Sequence, residues 1–245
     1  AEISIKVKDV NSAPVAEADN ESVNENETLD ISEASGLILG NDSDEDGDDL
    51  FISDFHAGEL SASAPRIGEF NTTLDGDFGQ LILQTDGSFS YTANKPTADA
   101  LAGGETGSDI FSYRLSDGKL TDSTELTITI TGVNDNPFLV DAIRTKKYIE
   151  GQGNVIVIDG SLDIRDVDDT NIETATVTIS SDTYVSSEDQ LAFTNAYGVS
   201  GSWNSSTGVL TLSGSTTKAN YVSALQTVTY TNTDDADPVI GARII

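Results

Sequence analysis

The chain has 245 residues, with 12 basic and 42 acidic side chains, a formal net charge of −30 and a pI near 4.1. That charge argues against nucleic acid and against anionic membrane surfaces as partners. The chain has no Cys and one His, which excludes disulfides, thiolate zinc sites and multi-histidine metal sites. It has no apolar run of membrane-spanning length, no Met and no leader peptide, so we expect an internal piece of a longer secreted protein.

Residues 1–13 predict a half-buried strand followed by a linker. Apolar and polar side chains alternate from Glu2 to Val10, and an Asn-containing turn then leads to Pro14. The same pattern recurs 123 positions later, from Glu125 to Pro137. We therefore interpret residues 1–13 as the last strand and linker of a preceding domain.

Residues 14–133 predict an all-β domain. Alternating segments flank turns at Asp86-Gly87 and Ser116-Asp117-Gly118, so we expect hairpins from Gln80 to Tyr91 and from Asp109 to Thr131. About seven short strands separated by such turns are typical of an immunoglobulin-like sandwich. The predicted core includes Phe111, Tyr113, Leu115, Leu126, Ile128 and Ile130.

Residues 138–245 predict a second domain of the same kind. Gly201 to Leu212 predict a hairpin around Thr207-Gly208, and Thr217 to Gln226 carry a helical pattern. Further anchors recur in the same order at offsets of 121 to 125, which indicates two tandem copies. By this alignment the second copy lacks its final strands. Two explanations stay open: the piece was cut from a longer array, or residues 1–10 of another chain complete the open edge.

The acidic residues cluster where this topology places its loops. Asp42 to Asp48 carries alternate Asp residues with Gly47 at the bend, and Asp166 to Asp169 repeats the spacing in the second copy. Alternate carboxylates in a tight turn repel one another unless a divalent cation neutralises them, and calcium prefers oxygen ligands. The loops therefore predict calcium sites, with a merely solvated acidic surface as the alternative.

Several motifs resemble those of the bacterial cadherin-like repeats of the VCBS type, which build large calcium-dependent RTX adhesins. They are the linker Asn134-Asp135-Asn136-Pro137, Asp166-x-Asp168, Ser116-Asp117-Gly118, the run from Asn41 to Gly47, and Glu150-Gly151. The resemblance implies two tandem immunoglobulin/cadherin-like β-sandwich domains, calcium as cofactor and neighbouring repeats of the same chain as partners. It also implies secretion to the bacterial cell surface.

The resemblance further implies that calcium ions sit at the junctions between domains, with residues 134–137 as the calcium-binding linker. The implied ligands of the central junction are Glu25, Asp109, Asn134, Asp135, Asn136, Asp166 and Asp168. Those of the junction with the preceding domain are Asp9, Asn11, Asp44, Asp46 and Asp117. Glu150 is assigned to the next junction.

The function that the resemblance implies is mechanical. We expect a calcium-rigidified extender segment of a surface adhesin, which holds ligand-binding domains away from the cell and leaves the external ligand to them. The alternative is a glycan-binding module in which Trp203 and Tyr197 stack on sugar, although a core or hairpin role for both residues stays open. No catalytic set is visible, and His56 is expected in a loop, so we do not expect an enzyme.

Overall fold

The computed structural model describes residues 10–32, 40–60, 68–141, 145–149, 151–158, 160–234 and 236–245. The chain divides into two compact units, unit 1 with residues 1–134 and unit 2 with residues 135–245, and the division falls within the predicted linker. The strand predicted at the N-terminus and the candidate ligands Asp9 and Glu150 lie outside the described residues. Within the described parts of the chain, no helix is long and apolar enough to cross a bilayer.

One sheet of unit 1 has the strand order β1-β8-β7-β3. Its strands are β1 (Asp19–Asn24), β3 (Phe51–Ala57), β7 (Thr106–Ser116) and β8 (Thr121–Thr131). β7 and β8 form the predicted hairpin, and β1 pairs in parallel with β8. His56 lies in β3 and is 6% exposed, so its predicted loop position is wrong.

The second sheet of unit 1 has the order β2-β6-β5-β4. Its strands are β2 (Thr28–Ile31), β4 (Thr73–Asp75), β5 (Gln80–Leu83) and β6 (Phe89–Thr92), and a short helix α1 (Pro96–Asp99) follows them. β5 and β6 form the predicted hairpin, whose turn requires the positive φ of Gly87.

The core of unit 1 lies between these two sheets, because alternate side chains of both sheets point inward. All six residues of the predicted core are buried, and all of them except Leu115 pack in one region with side chains of β3, β5 and β6 such as Phe55, Leu81 and Tyr91. Each fully buried large apolar side chain contributes about 1.5–3 kcal/mol, so this core stabilises unit 1 without any ion. The all-β sandwich prediction is confirmed for this unit.

Unit 2 is also built mainly of strands. They are β9 (Phe138–Val140), β10 (Val155–Ile156), β11 (Asp163–Arg165), β12 (Asn171–Thr178), β13 (Asp189–Ala192), β14 (Ser200–Asn204), β15 (Val209–Thr217) and β16 (Thr229–Asn232). Three-stranded sheets have the orders β12-β15-β14 and β10-β16-β13, and β9 pairs with β11. The predicted helix is α2 (Lys218–Leu225), and the Asn220 N–H donates to its N-cap residue Thr217.

The two units differ in how their equivalent hairpins are flanked. β5 and β6 of unit 1 align with β14 and β15 of unit 2, and both pairs form the predicted hairpins. The outer neighbour of β6 is β2, which precedes the acidic loop, whereas the outer neighbour of β15 is β12, which follows it. The repeat seen in the sequence therefore extends to the pairing within the hairpin but not to the strand that flanks it. In the described residues after β16 no further strand is present.

Candidate metal sites

The loop after β11 in unit 2 gathers three carboxylates. Asp166, Asp168 and Asp169 are half-buried, and one oxygen of each lies within 4.8 Å of the others. Desolvation, followed by the neighbouring charges of Asp168 and Asp166, raises the pKa of Asp169. The charges of Asp166 and Asp168 therefore oppose the ionisation of Asp169, and a divalent cation among the three carboxylates would relieve the repulsion.

The protein holds these carboxylates in place through the backbone and one lysine. The Asp169 N–H donates to Asp166 Oδ1 at 2.8 Å, and the Asp135 N–H donates to Asp168 Oδ2 at 3.1 Å. Lys218, the first residue of α2, donates from Nζ to the backbone carbonyl oxygens of Asp166 and Asp169. The loop is thus shaped before any ion binds. The sequence did not indicate Lys218, which lies about 50 positions away.

One carboxylate oxygen in this cluster fits a metal ligand in particular. Asp168 Oδ1 is buried and accepts no hydrogen bond from the described residues, while Oδ2 is occupied by the linker. An unsatisfied buried acceptor costs about 1–3 kcal/mol, and more when charged. Coordination of a hard cation removes that cost, and calcium takes such carboxylate oxygens in flexible geometry.

Unit 1 repeats this arrangement in the loop before β3. Asp44 Oδ1 accepts from the N–H groups of Asp46 and Asp48 at 2.9 and 3.2 Å, and the Ser12 N–H donates to Asp46 Oδ2 at 2.6 Å. Asp44 Oδ2 is buried and accepts no hydrogen bond from the described residues. In both Asp-x-Asp loops the linker N–H therefore binds the second Asp. One buried carboxylate oxygen remains for a ligand in each loop, on the first Asp in unit 1 and on the second Asp in unit 2.

The two loops differ in the cation that the chain itself supplies. In unit 1 the Lys119 ammonium contacts Asn11 Oδ1 and forms an ion pair with Asp48 at 2.8 Å. Asn11 Nδ2 donates to Asp117 Oδ2 at 2.7 Å, and this bond, after the backbone bond from Leu120, lowers the pKa of Asp117. The candidate ligands Asn11 and Asp117 thus lie together beside a lysine, which partly neutralises the unit 1 loop.

Glu25, a predicted ligand in unit 1, contacts Val133, the residue that precedes the predicted linker. It is 4% exposed, and its Oε1 accepts from the Val133 N–H at 2.8 Å. Asn134, the next residue, is exposed. In unit 2, Asp135 is half-buried and Asn136 is exposed. That these residues bind a common ion with Asp166 and Asp168 stays a prediction.

Asp109, the other predicted ligand in unit 1, anchors a loop. It is 3% exposed, and its carboxylate accepts from the N–H groups of Asp77, Phe78 and Gly79 at 2.6–3.2 Å. The Tyr91 hydroxyl donates to it at 2.6 Å, and burial together with this contact raises the pKa of Tyr91. Asp109 thus fixes the position of residues 77–79 through these hydrogen bonds. Its role as a calcium ligand stays a prediction.

A second acidic group in unit 1 was not predicted from the sequence. The Tyr113 hydroxyl donates to Asp19 Oδ2 at 2.8 Å and lies 3.5 Å from Asp42 Oδ2. Burial raises the pKa of Asp19 to about 7 and that of Asp42 to about 6. Tyr113 is far from both acids in the chain, so no local pattern links the three residues.

Replacing Asp19 is expected to change the pH dependence of unit 1. The folded-state pKa of Asp19, about 7, lies above the ordinary aspartate value of 3.8, so folding favours the protonated form. The contribution of Asp19 to the free energy of unfolding is complete below about pH 4 and disappears as the pH rises through 7. In chelator, Asp19→Asn is expected to raise the melting temperature at pH 8 by on the order of 5 °C and to change it little at pH 4. Asp30→Asn, at an exposed site on β2, is the control, and an equal gain there would contradict the assignment.

Comparison with known proteins identifies the larger part of unit 1. A family model described as the bacterial cadherin-like domain matches residues 11–132. Residues 11–132 belong to the bacterial cadherin-like domain family. The match spans the Asp44-x-Asp46 loop, Glu25 and Asp109, so these candidate ligands all lie within the cadherin-like domain. The family and the all-β fold agree with the resemblance stated from the sequence.

Two curated relatives extend beyond the cadherin-like domain. Halomucin of Haloquadratum walsbyi is 31% identical over 182 residues, which is 72% of this chain and 2% of that protein. The calcium-binding lectin RapA2 of Rhizobium johnstonii is 32% identical over 148 residues, 56% of this chain and 61% of the lectin. The chain thus spans less than two thirds of either relative. A solved endo-fucoidan hydrolase of glycoside hydrolase family 107 aligns with 16% identity and a TM-score of 0.28, too low to transfer fold or activity.

The aromatic residues proposed for glycan stacking occupy different environments. Trp203 is half-buried on β14, packs against the core of unit 2 and meets the Tyr184 ring edge-on at 6.1 Å. Tyr197 is 47% exposed in a turn, with a φ of 58°. Trp203 therefore contributes to packing, as the structural interpretation of the sequence expected.

Proposed function

We propose that the chain is a calcium-stiffened spacer segment of a bacterial surface adhesion protein. The observation that carries the proposal is the bond from the linker to each acidic loop, Ser12 to Asp46 and Asp135 to Asp168. An ion held by the Asp-x-Asp carboxylates would fix the linker residue as well as the loop. Ion binding would then restrict the backbone rotations of the linker and so reduce its flexibility.

The relatives support the wider setting of this proposal. Membership of the cadherin-like family and similarity to a calcium-binding lectin favour a secreted, adhesion-type protein that uses calcium and performs no catalysis. Neighbouring repeats of the same chain are the proposed partners, and other domains are proposed to bind the external ligand. Glycan binding through Trp203 and Tyr197 is less well supported, because Trp203 packs against the core.

Small-angle scattering of the full chain tests whether calcium stiffens it. We expect calcium to narrow the distribution of interatomic distances relative to chelator at equal ionic strength. Asp166→Asn combined with Asp168→Asn is expected to give the chelator profile even in calcium. The matched control is Asp30→Asn with Asp182→Asn, two exposed acids outside both loops. Identical profiles for the chain with and without calcium would contradict the spacer function.

Removing Lys119 is expected to strengthen calcium binding in unit 1. Its ammonium occupies the acidic loop and competes with a divalent ion for Asp48 and Asn11. Lys119→Gln is expected to raise the calcium affinity of this loop by roughly fivefold, as measured by calorimetry. Lys95→Gln, which breaks an ion pair with Asp75 elsewhere in unit 1, is expected to leave the affinity unchanged.

A further inference from the structure

The first and last described strands of unit 1 lie side by side and run in the same direction. β1 pairs in parallel with β8 over six residues, from Asp19 opposite Leu126 to Asn24 opposite Thr131. β1 is the edge strand of its sheet, whereas β8 is also paired along its whole length with β7. The chain therefore enters this ladder of backbone bonds at one end and leaves it at the other end.

The parallel pairing decides how tension along the chain acts on unit 1. Tension that pulls the residues before Asp19 away from the residues after Thr131 makes β1 slide along β8. Because the bonds of a parallel ladder are evenly spaced along both strands, sliding loads all of them together. If the two strands were instead peeled apart from one end, the bonds would break one at a time and at lower force. The ladder therefore resists extension of unit 1 through its own ends.

Hydrogen bonds outside the paired residues lengthen the ladder at both ends. Before β1, the Ala16 N–H donates to Asp122 Oδ2 at 3.1 Å. After β1, the Glu25 N–H donates to the Thr131 carbonyl at 3.0 Å, and the Val133 N–H donates to Glu25 Oε1 at 2.8 Å. The tie between the two segments is therefore longer than the paired residues of β1, and all of these bonds are made by the protein itself without a metal ion.

Side chains also anchor β1, the strand that would have to slide. Val23 is 9% exposed and belongs to the core of unit 1. The Tyr113 hydroxyl donates to Asp19 Oδ2 at 2.8 Å, which fixes the first residue of β1 to β7, the strand beyond β8. Sliding of β1 therefore breaks hydrogen bonds and withdraws an apolar side chain from the core in the same step. Contacts that must break together in this way slow unfolding under force, which is governed by the unfolding rate.

We infer that the ladder between β1 and β8 is a mechanical clamp, and that unit 1 bears tension along the chain without unfolding. This function goes beyond the calcium-stiffened spacer, because a stiff linker resists bending whereas the clamp resists extension. The clamp uses contacts within unit 1 alone. It is therefore expected to hold in chelator as well as in calcium, and it does not depend on whether calcium stiffens the linker.

Single-molecule pulling of the full chain in chelator tests the clamp, with the direction of pull as the variable. The chain has no Cys of its own, so two substitutions set where the handles attach. Ala13→Cys with Val133→Cys loads opposite ends of the ladder, whereas Ala13→Cys with Leu120→Cys loads the same end, and all three positions are exposed. We expect the first pair to need at least about twofold more force at the same pulling speed. Equal forces for the two pairs overturn the inference.

A matched pair of proline substitutions tests whether the resistance comes from the bonds of β1. Backbone N–H groups alternate in direction along a strand, and that of Glu25 points to β8, so that of Glu21 does as well and that of Ser22 points away. Glu21→Pro therefore removes a bond of the ladder, whereas Ser22→Pro keeps it. With the Ala13→Cys and Val133→Cys handles, Glu21→Pro is expected to lower the unfolding force by roughly a third and Ser22→Pro by far less. Equal losses, or no loss with Glu21→Pro, would show that the ladder is not the clamp.

Discussion

Calcium at 10 mM is expected to raise the melting temperature of the chain by about 10 °C over its value in chelator at the same ionic strength. For a site with a Kd of about 0.1 mM, in the range of extracellular calcium modules, mass action gives about 2.7 kcal/mol. In a domain of this size that corresponds to roughly 8–14 °C. The physical source is the relief of repulsion among Asp166, Asp168 and Asp169 and of the buried unpaired oxygens of Asp44 and Asp168. Differential scanning calorimetry measures it.

Two controls separate a specific site from general screening of the negative charge. Sodium chloride at matched ionic strength should shift the melting temperature by far less than calcium, because it screens all 42 acids alike. Magnesium should also be less effective, since it demands near-ideal octahedral geometry and keeps its waters. Equal shifts with all three salts would favour the solvated-surface interpretation of the acidic loops.

Asp109→Ala is expected to destabilise unit 1 strongly even in chelator. The substitution removes the acceptor for three backbone N–H groups and for the buried Tyr91 hydroxyl. Leaving several donors unsatisfied costs about 3–5 kcal/mol, and the melting temperature of unit 1 should fall by roughly 10–15 °C. Thermal unfolding followed by Tyr fluorescence and by circular dichroism measures this loss.

The condition in which the loss appears distinguishes the two roles of Asp109. If Asp109 is a structural anchor, its loss lowers the melting temperature in chelator and in calcium alike. If it is a calcium ligand, its loss lowers the melting temperature only when calcium is present. Asp75→Ala is the matched control, because Asp75 is an exposed acid in the same loop region, with a side chain 68% exposed. If Asp109→Ala and Asp75→Ala have equally small effects in chelator, the anchor assignment is wrong.

The sequence predicted those parts of the fold that depend on local pattern. The β5–β6, β7–β8 and β14–β15 hairpins each join adjacent alternating segments across a glycine-containing turn, so a short window contains the whole signal. The parallel pairing of β1 with β8 joins residues about 107 positions apart, and no local pattern specifies it. No local pattern specifies the strand that flanks each hairpin either. β2 pairs with β6 in unit 1 and β12 with β15 in unit 2, and this pairing depends on packing of the whole unit.

The candidate sites also contain parts that a local sequence pattern predicts and parts that it does not. The clustering of carboxylates in the Asp-x-Asp loops was predictable because these residues are nearly contiguous in sequence, and their binding of calcium stays a prediction. The contribution of Lys119 and Lys218 was not, since a lysine distant in sequence reaches each loop only in the folded unit. The pairing of Asp19 with Tyr113 across 94 positions was equally invisible. His56 was misplaced because a single polar residue beside aromatic neighbours resembles a loop when burial is unknown.

Calorimetric titration of the full chain with calcium tests the central claim most directly. We predict saturable binding with submillimolar to millimolar affinity, to which both Asp-x-Asp loops contribute. Asp168→Asn should abolish the component from the unit 2 loop, Asp44→Asn the weaker component from the unit 1 loop, and the double variant should bind no calcium at these loops. Asp30→Asn with Asp182→Asn should titrate like the unaltered chain. Binding that is unchanged in the double variant, or absent from the unaltered chain up to about 10 mM calcium, would contradict the account.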